Sequence, residues 1–512
     1  MIWPRLWTFV PHIGTARSGD GLLPTAGTAD VLADREAARR PDASHEFDTG
    51  YEGRKHMNSQ KSRIGLVGAL LGALALTTAA CSSGSTSSGQ SSGGATTITI
   101  WNDALAASSS TVPQAKSFLT KGVALFEKQN PNIKVKIIPE PFAASTSFET
   151  LLRSAELAGT TPDIGQLYVG GQVIQNAKYL LALNKYLPSS YYGSLSGWQF
   201  VTQGFKPGTS TVPGGQVYAV PYGAGYYYVV YYNKALFKKA GVTGPLPTTW
   251  SGLITLGKQI KAKGVTPFEF GEKEGYMGAW TQDSLISGLV GDPGVLAMFT
   301  GHASLNSPTL TNPYTAWHEM FSSGITNSNA PSLSYTTGIA NFAAGKAAMT
   351  ITGGFYNTQI QNGIGKTNVG LFPVPTLPGS RYPRVLSGGP NNAYVVFKTS
   401  THVADDMKLL KFLTSPTVQN LSVNELGQLP NNVSFTTTPA FDAQQPLLAS
   451  VYNYIKQHYV LSEAFDNVMP GSIDSYWYQT NAGVFAGTLS PSSAAGSMQS
   501  QMQSYLSAAK TG

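Results

Sequence analysis

The stretch FEKQNPNIKVKII, residues 126–138, marks the end of a predicted helix and the start of a predicted strand. Asn130–Pro131 separates the two, because proline cannot continue a helix. On the helical side, apolar residues recur at the spacing of one helix face: Leu119, Val123 and Phe126. On the other side they alternate as in a strand with one buried face: Ile133, Val135 and Ile137. The stretch thus predicts a helix that turns directly into a strand.

The same two patterns continue in both directions along the chain. TITIW (97–101) alternates as a strand, SFETLLRSAELA (147–158) reads as a helix, and DIGQLYV (163–169) is a further strand. This β-α-β-α-β order predicts an α/β fold with an open parallel sheet covered by helices. Ligands of such sheets bind beyond the carboxyl ends of the strands. The candidate binding residues at these ends are Trp101, Asn102, Asp103 and Tyr168.

A secretory leader is predicted upstream of this domain. The apolar run 64–76 follows the basic residues Lys61 and Arg63 and precedes a few small residues, which is the order of a signal peptide. The run is shorter than the roughly 20 residues that a membrane span needs. We therefore expect residues 57–80 to be a signal peptide, and residues 1–56 to lie upstream of a translation start at Met57.

Cys81 is the only cysteine of the chain, so it cannot form an intramolecular disulfide. TTAAC (77–81) resembles a bacterial lipobox, although Thr78 stands where leucine is usual. The resemblance implies that Cys81 is lipidated and anchors the protein to the outer face of the cytoplasmic membrane. Each buried methylene contributes about 0.8 kcal/mol to such an anchor. Residues 81–97, rich in serine and glycine, would form a flexible tether.

Composition argues against several classes of partner and of chemistry. Charged residues make up 12% of the chain, against about 25% in ordinary soluble proteins, and the net charge of +7 is spread out. No basic stripe points to nucleic acid. No nucleophile elbow or phosphate-binding loop occurs, and the acidic cluster FEFGEKEG (268–275) is interpreted as a solvated loop. The sequence therefore predicts no catalytic residue, no metal site and no cofactor.

Seven sequence segments, given below in chain order, resemble segments of the family 1 extracellular solute-binding proteins. These proteins are the carbohydrate-binding components of ABC importers. The resemblance covers roughly residues 97–512. It implies a monomer with two α/β lobes, a hinge of crossing strands and a ligand cleft between the lobes, which delivers a sugar to ABC permease subunits. The segments are FEKQNPNIKVKII, TPDIGQLY, VYAVPYGAGYYYVVYYNKALFKKAGV, PTTWSGL, FAAGKAAMTITGGF, LFPVPTLPG and KLLKFLTSPTVQNLSVNELGQLP.

The resemblance also implies where the chain passes between lobes. The tract YYYVVYYN (226–233) would enter lobe two, AAMTITGG (347–354) would return to lobe one, and Gly388–Gly389 would cross back. The expected segments are 98–225 in lobe one, 226–347 in lobe two, 348–387 in lobe one and 388–512 in lobe two. The length after the tether agrees with two lobes, since it exceeds what one hydrophobic core usually covers.

Sugars stack their C–H faces on aromatic rings and present hydroxyls to polar groups. Aromatic candidates lie at the predicted crossings and strand ends, although core packing is the alternative explanation for each. Gly354 and Gly389 are candidates for close backbone approach to a ligand. The aromatic candidates, besides those named above, are Tyr222, Tyr226, Trp280, Phe355 and Trp477.

Two of these positions are carried over from the family resemblance. Trp477, in SIDSYWYQT, matches the segment with which maltose-binding relatives line the lobe-two side of the sugar. Tyr226 stands where those relatives have a glutamate that accepts bonds from sugar hydroxyls. This departure argues against a maltodextrin bound in the identical pose.

Three other functions stay open at this point. A solute-binding protein for an organic anion would need arginines in the cleft, and Arg153, Arg381 and Arg384 do not lie at predicted strand ends. An anchored glycoside hydrolase would need two carboxylates about 5–10 Å apart. An anchored surface protein without a small ligand would not require lobes that the chain crosses repeatedly.

Overall fold

The computed structural model describes residues 95–103, 117–140, 146–168, 170–188, 190–191, 216–221, 224–390, 392–426, 429–431, 437–469 and 471–511. All of them lie in one compact unit. The predicted signal peptide, Cys81 and most of the predicted tether lie outside these residues. Within them, no helix combines the length and the apolar character that a bilayer crossing requires.

The first part of the chain follows the predicted order of strands and helices. The side chain of Ser117 accepts a hydrogen bond from the Thr120 amide and so begins the first helix, which ends before Asn130–Pro131 as expected. The elements are β1 (Thr96–Asp103), α1 (Phe118–Gln129), β2 (Ile133–Glu140), α2 (Thr146–Ala158), β3 (Ile164–Tyr168), α3 (Gly171–Asn176) and β4 (Ala219–Pro221).

The second part is built around one long aromatic strand. Its residues 227–231 are at most 2% exposed, as expected for a strand covered on both faces. A long helix further on is interrupted at Gly291, whose φ of 60° and ψ of −178° are not helical. The elements are β5 (Ala224–Asn233), α4 (Lys234–Lys239), α5 (Trp250–Ala262), α6 (Tyr276–Phe299), α7 (Pro308–Ser322), α8 (Tyr335–Ala343), β6 (Met349–Gly353), α9 (Asn357–Ile364), β7 (Val369–Pro373) and β8 (Val385–Pro390).

The remaining chain is mostly helical. Its elements are β9 (Asn392–Val396), α10 (Val403–Leu413), α11 (Pro416–Leu426), β10 (Leu429–Pro430), α12 (Pro439–Gln444), α13 (Pro446–Lys456), β11 (Val460–Glu463), α14 (Phe465–Val468), α15 (Gly471–Ala486) and α16 (Pro491–Thr511).

Two sheets divide the described residues into two lobes. In lobe one the strand order is β2-β1-β3-β9-β4, and β1 pairs in parallel with both β2 and β3, as the sequence predicts. In lobe two the order is β10-β5-β8-β11, and β6 and β7 also pair with β5. The fold is therefore a mixed α/β fold with two sheets, which confirms the predicted class.

Strand β6 lies in a different lobe from the one that the sequence suggests. Residues 348–387, expected to return to lobe one, contain β6 and β7, which flank the second half of β5 in lobe two. The physical reason is hydrogen bonding: β5 is buried, so its backbone groups need a partner strand on each side. β8 then pairs with the first half of β5, where Tyr226 lies opposite Gly389.

The chain reaches lobe one again only at β9, which lies between β3 and β4. Residues 392–426, expected in lobe two, therefore belong to lobe one. Helix α11 ends this segment with Val418 in the core of lobe one and Val423 in the core of lobe two. In the described chain the lobes are thus joined between 221 and 224, between 390 and 392 and between 426 and 429. The first crossing lies just before its predicted place. A crossing does follow Gly388–Gly389, but it leads into lobe one and not out of it, and the predicted return at 347–354 is wrong.

Candidate functional site

An aromatic cluster lies in lobe two, where α6 contacts β5 and β6. Its central ring, Trp280 in the first turns of α6, is 8% exposed and stacks at 6.2 Å on Tyr228, the fifth residue of β5. Phe355, just after β6, packs edge-on against Trp280 at 5.2 Å. Because β6 ends opposite Tyr228, both strands deliver their aromatic residues to the same place.

Four tyrosines complete the cluster, and each is partly exposed. Tyr276 stacks on Trp280 at 6.4 Å, one helical turn before it, and meets Tyr478 of α15 at 4.6 Å. Tyr335, which begins α8, stands edge-on to Trp280 at 6.0 Å. We call the following set the aromatic surface: Tyr276, Trp280, Tyr335, Phe355, Tyr356 and Tyr478.

Hydrogen-bonding groups border this aromatic surface. The carboxylate of Glu274 accepts a bond of 3.0 Å from the Tyr335 amide, and the Tyr478 hydroxyl donates to Asp466 at 3.5 Å. Burial raises the pKa of Asp474, and the nearby Asp466 raises it further. Carboxyl groups beside rings are able to accept bonds from hydroxyl groups, and when protonated they also donate.

Behind the surface, Asp283 and Asp466 lie side by side. Burial raises the pKa of both carboxyls, and the charge of Asp466 raises that of Asp283 further. Two carboxyls held this close cannot both ionise easily, so the pair retains a proton at higher pH than either would alone. Asp283 is fully buried and supports the surface from within, whereas Asp466 reaches Tyr478 at its border.

The acidic segment 268–275 is not the solvated loop that the sequence suggests. Glu272 is fully buried and accepts bonds of 3.0 and 2.9 Å from the Gly278 amide in the first turn of α6. Glu269 is 4% exposed and accepts a bond of 2.7 Å from Asn341. These carboxylates satisfy backbone and side-chain donors, and Glu272 thereby positions the helix that carries Trp280.

The structure brings together only some of the residues predicted from sequence. Trp280 and Phe355 meet in the aromatic surface, and Gly354 lies beside them. A Cβ on Gly354 would come within 2.5 Å of the Tyr227 ring, and one on Gly389, with φ of 74°, within 2.8 Å of the Glu463 carboxyl. At both glycines the space that the missing Cβ leaves is therefore taken by a side chain of this protein.

In lobe one, Trp101 and Tyr168 are partly exposed and pack on the same core cluster at the ends of β1 and β3. Asn102, between them in the chain, is 2% exposed. Tyr222 and the side chains of Asp103 and Tyr226 lie outside the described residues. The lobe-one candidates that are described thus lie together, as the parallel order of β1 and β3 requires.

Trp477 does not occupy the position that the sequence suggests. It is fully buried and packs against Phe465 at 5.0 Å and Tyr314 at 5.5 Å, in the core of lobe two. Its neighbour Tyr478 reaches the aromatic surface instead. Successive residues of a helix point about 100° apart, so one position decides between core and surface.

Sequence reasoning missed Tyr276, Tyr335, Tyr356 and Tyr478. A local signal existed for Tyr276, because it precedes Trp280 by four residues and therefore shares its helix face. Tyr356 follows Phe355 directly. No local signal marks Tyr335, whose ring meets Tyr276 and Trp280 only in the folded chain. Among the described residues, no group of three or more histidine, cysteine, aspartate or glutamate side chains is arranged to hold a metal ion.

Two proteins have sequences similar to this chain. An ABC transporter extracellular-binding protein of Pyrococcus horikoshii, itself uncharacterized, is 27% identical over 60% of this chain. The match spans 66% of that relative, just under two thirds of its length. The multiple sugar-binding protein of Streptococcus mutans is 26% identical over 58% of this chain and 68% of its own.

Among solved structures, one from work on xylan utilization by Caldanaerobius polysaccharolyticus superposes with a TM-score of 0.67 and 25% identity, over 79% of this chain and 99% of the other. The family model described as bacterial extracellular solute-binding protein matches residues 109–420. That match covers more than half of the sequence and includes parts of both lobes. This chain belongs to the bacterial extracellular solute-binding protein family.

Proposed function

We propose that this protein is an extracytoplasmic receptor that binds a mono- or oligosaccharide between its lobes and delivers it to an ABC-type importer. The observation that carries the proposal is the aromatic surface, in which five partly exposed rings surround the buried Trp280 and border carboxyl groups. Rings of this kind offer a platform for the C–H face of a sugar, and the carboxyls offer acceptors for its hydroxyls. Family membership and the name of the streptococcal relative support the same function.

The position of the aromatic surface also supports a site between the lobes. Tyr478 contacts Asp466, and the next residue of α14, Asn467, lies so close to lobe one that a Cβ on Gly170 would come within 2.6 Å of its carbonyl oxygen. A ligand on the surface would therefore lie beside the place where the lobes touch. Such a position lets closure of the lobes cover a bound solute.

An organic anion fits this surface less well. The carboxyls of Glu274 and Asp474 border it, and Arg381 and Arg384 lie exposed in another part of lobe two. Catalysis is not part of the proposal either. Asp283, one of the two paired carboxyls, is fully buried, and the family consists of binding proteins.

Isothermal titration against mono-, di- and oligosaccharides tests the function, with peptides and organic anions in the same panel. We expect a dissociation constant in the micromolar range or tighter, about −8 kcal/mol, since the receptor must capture dilute solute and still release it. Binding to peptides alone or to anions alone would overturn the carbohydrate proposal.

Trp280→Ala should weaken the binding of the best sugar at least about thirtyfold, because removing an aromatic ring from a well-packed contact typically costs about 2 kcal/mol or more. Tyr335→Ala should weaken binding in the same direction and disturbs the core less, since Tyr335 is partly exposed. Tyr186→Ala is the matched control: this tyrosine is 38% exposed and lies outside the aromatic surface. Equal affinities for all three variants and the wild type would place the sugar elsewhere.

We propose further that Cys81 is lipidated after removal of residues 57–80, and that the monomeric domain stays tethered to the membrane beside two permease subunits driven by a separate ATPase. Globomycin should make the unprocessed precursor accumulate, and Cys81→Ser should abolish labelling by a radioactive or clickable fatty acid. Appearance of a processed, unlipidated wild-type protein in the medium would contradict the anchor. Elution as a dimer in size-exclusion chromatography would contradict the monomer.

A further inference from the structure

The two lobes touch at a point where both sides present backbone. Gly170 follows β3 in lobe one, and a Cβ at this residue would lie 2.6 Å from the Asn467 carbonyl oxygen and 3.1 Å from the Val468 Cα. Carbon atoms that are not bonded prefer separations of about 3.5–4.0 Å. The residue at position 170 therefore has no room for a side chain while the lobes are in this arrangement.

The lobe-one side of the contact is held in place by side chains around it. Gln172 accepts a bond of 2.7 Å from the Tyr168 amide and donates one of 2.6 Å to Glu149. Gly170 itself has a φ of 67°, a conformation that favours glycine. These bonds of Gln172 restrain the start of α3, which follows Gly170 directly.

The lobe-two side is held as well. Asn467 donates a bond of 3.2 Å to the Gly388 carbonyl near the end of β8, and Val468 lies in the lobe-two core. Gly471 provides a second approach between the lobes, because a Cβ there would lie 3.8 Å from Glu149 and 4.0 Å from Gln175. Two fixed segments of different lobes thus face each other at two glycines.

We infer that Gly170 and Asn467–Val468 form the contact that sets the closed arrangement of the lobes, and that a side chain at position 170 holds them apart. Because Gly170 has no Cβ, the two backbones can approach each other. The closed arrangement of the lobes is populated less when a methyl group lies between them. Ligand affinity falls in proportion to the population of the closed arrangement. That last consequence rests on the proposed sugar-binding function, whereas the change in lobe distance does not.

Gly170→Ala tests the inference, with Gly159→Ala as its matched control. Both glycines lie in lobe one with the same φ of 67°, but a Cβ on Gly159 meets nothing within 4 Å. The two variants therefore place alanine at the same φ, and only Gly170→Ala meets an obstruction. Comparing them separates the closure of the lobes from the general cost of alanine in this conformation.

The readout is the distance between spin labels on the two lobes, measured by double electron–electron resonance. The full chain with Cys81→Ser has no other cysteine, so labels go on cysteines introduced at the exposed residues Lys128 and Lys258. We expect Gly170→Ala to shift the distribution to longer distances and Gly159→Ala to leave it unchanged. Identical distributions for the two variants would overturn the inference.

Gly471→Leu places an obstruction on the opposite lobe, without a left-handed backbone, and keeps the test valid if Gly170→Ala folds poorly. It should lengthen the distance as well, and an unchanged distance in a folded Gly471→Leu protein would count against the inference. Gly170→Ala should also raise the dissociation constant of the best sugar about tenfold relative to Gly159→Ala. If the wild type binds no sugar, the proposed function fails. The distances between the spin labels then still show whether a side chain at position 170 holds the lobes apart.

Discussion

Trp477→Ala is expected to lower the free energy of unfolding by about 3–5 kcal/mol, the usual cost of removing a large aromatic side chain from a packed core. The ring is fully buried against Phe465 and Tyr314, and the surroundings of a rigid core collapse only partly into the space that it leaves. Urea-induced unfolding followed by circular dichroism measures the change. The remaining folded protein should bind its sugar within about threefold of the wild-type affinity, far less than the effect of a hot-spot residue.

Trp477→Phe is the control for packing as distinct from hydrogen bonding. The indole Nε1 of Trp477 is buried without a hydrogen-bond partner, so phenylalanine removes an unsatisfied donor while it keeps an aromatic ring in the core. We expect it to cost less than half as much as alanine. A Trp477→Ala protein with unchanged stability and lost sugar binding would show instead that the tryptophan is the platform that the family resemblance implied.

The stability of the fold is expected to fall as pH rises from about 4 to about 6, opposite to the usual behaviour of acidic residues in salt bridges. Burial raises the pKa of Asp292 from 3.8 to about 6, although bonds from Ser462 and Glu463 lower it in part. Well below pH 3.8 this carboxyl is protonated in the folded and in the unfolded chain. Between the two pKa values only the unfolded chain releases its proton, so unfolding is favoured by up to about 3 kcal/mol, and above pH 6 the loss is complete.

Other buried carboxyls act in the same direction, because burial raises the pKa of each: Glu272, Asp283, Glu463, Asp466 and Asp474. Urea unfolding at pH 4, 5, 6 and 7 measures the combined slope. A free energy of unfolding that rises over this range would contradict the expectation.

Asp292→Asn should flatten part of this slope and stabilise the protein at pH 7. Asparagine keeps the oxygen that accepts a bond of 3.0 Å from the Glu463 amide, but it has no charge to bury. Asp405→Asn serves as the comparison: its carboxyl is bound to Lys408 at the surface of lobe one, which lowers its pKa. This variant should leave the decline between pH 4 and pH 6 in place.

Local patterns in the sequence were sufficient for the first lobe as far as β3. The apolar spacing of Leu119, Val123 and Phe126 and the alternation that begins at Ile133 depend only on which residues are near one another in the chain. The prediction of α1, β2 and their parallel sheet is confirmed for that reason. The seven sequence segments that occur in order along residues 97–512 were likewise enough to indicate the family.

Strand pairing in lobe two could not be predicted in the same way. MTITG (349–353) is recognisable as a strand, but its five buried residues carry no sign of which strand they pair with. Only the folded chain shows that β6 and β7 enclose the second half of β5, and that β9 rather than β6 returns to lobe one. Such contacts join residues more than 100 positions apart, and periodicity carries no information over that distance.

The sequence by itself determined the α/β class, the order of the first elements, the family, and Trp280 and Phe355 as aromatic candidates. The tertiary structure alone decided which aromatic residues meet. Trp477 and Tyr478 are equally aromatic neighbours, and the direction from which α15 packs on α6 and α7 sends the first into the core and the second to the surface. Burial depends on the packing of whole elements, so residue identity alone cannot separate a ring that stabilises the fold from one that binds a ligand.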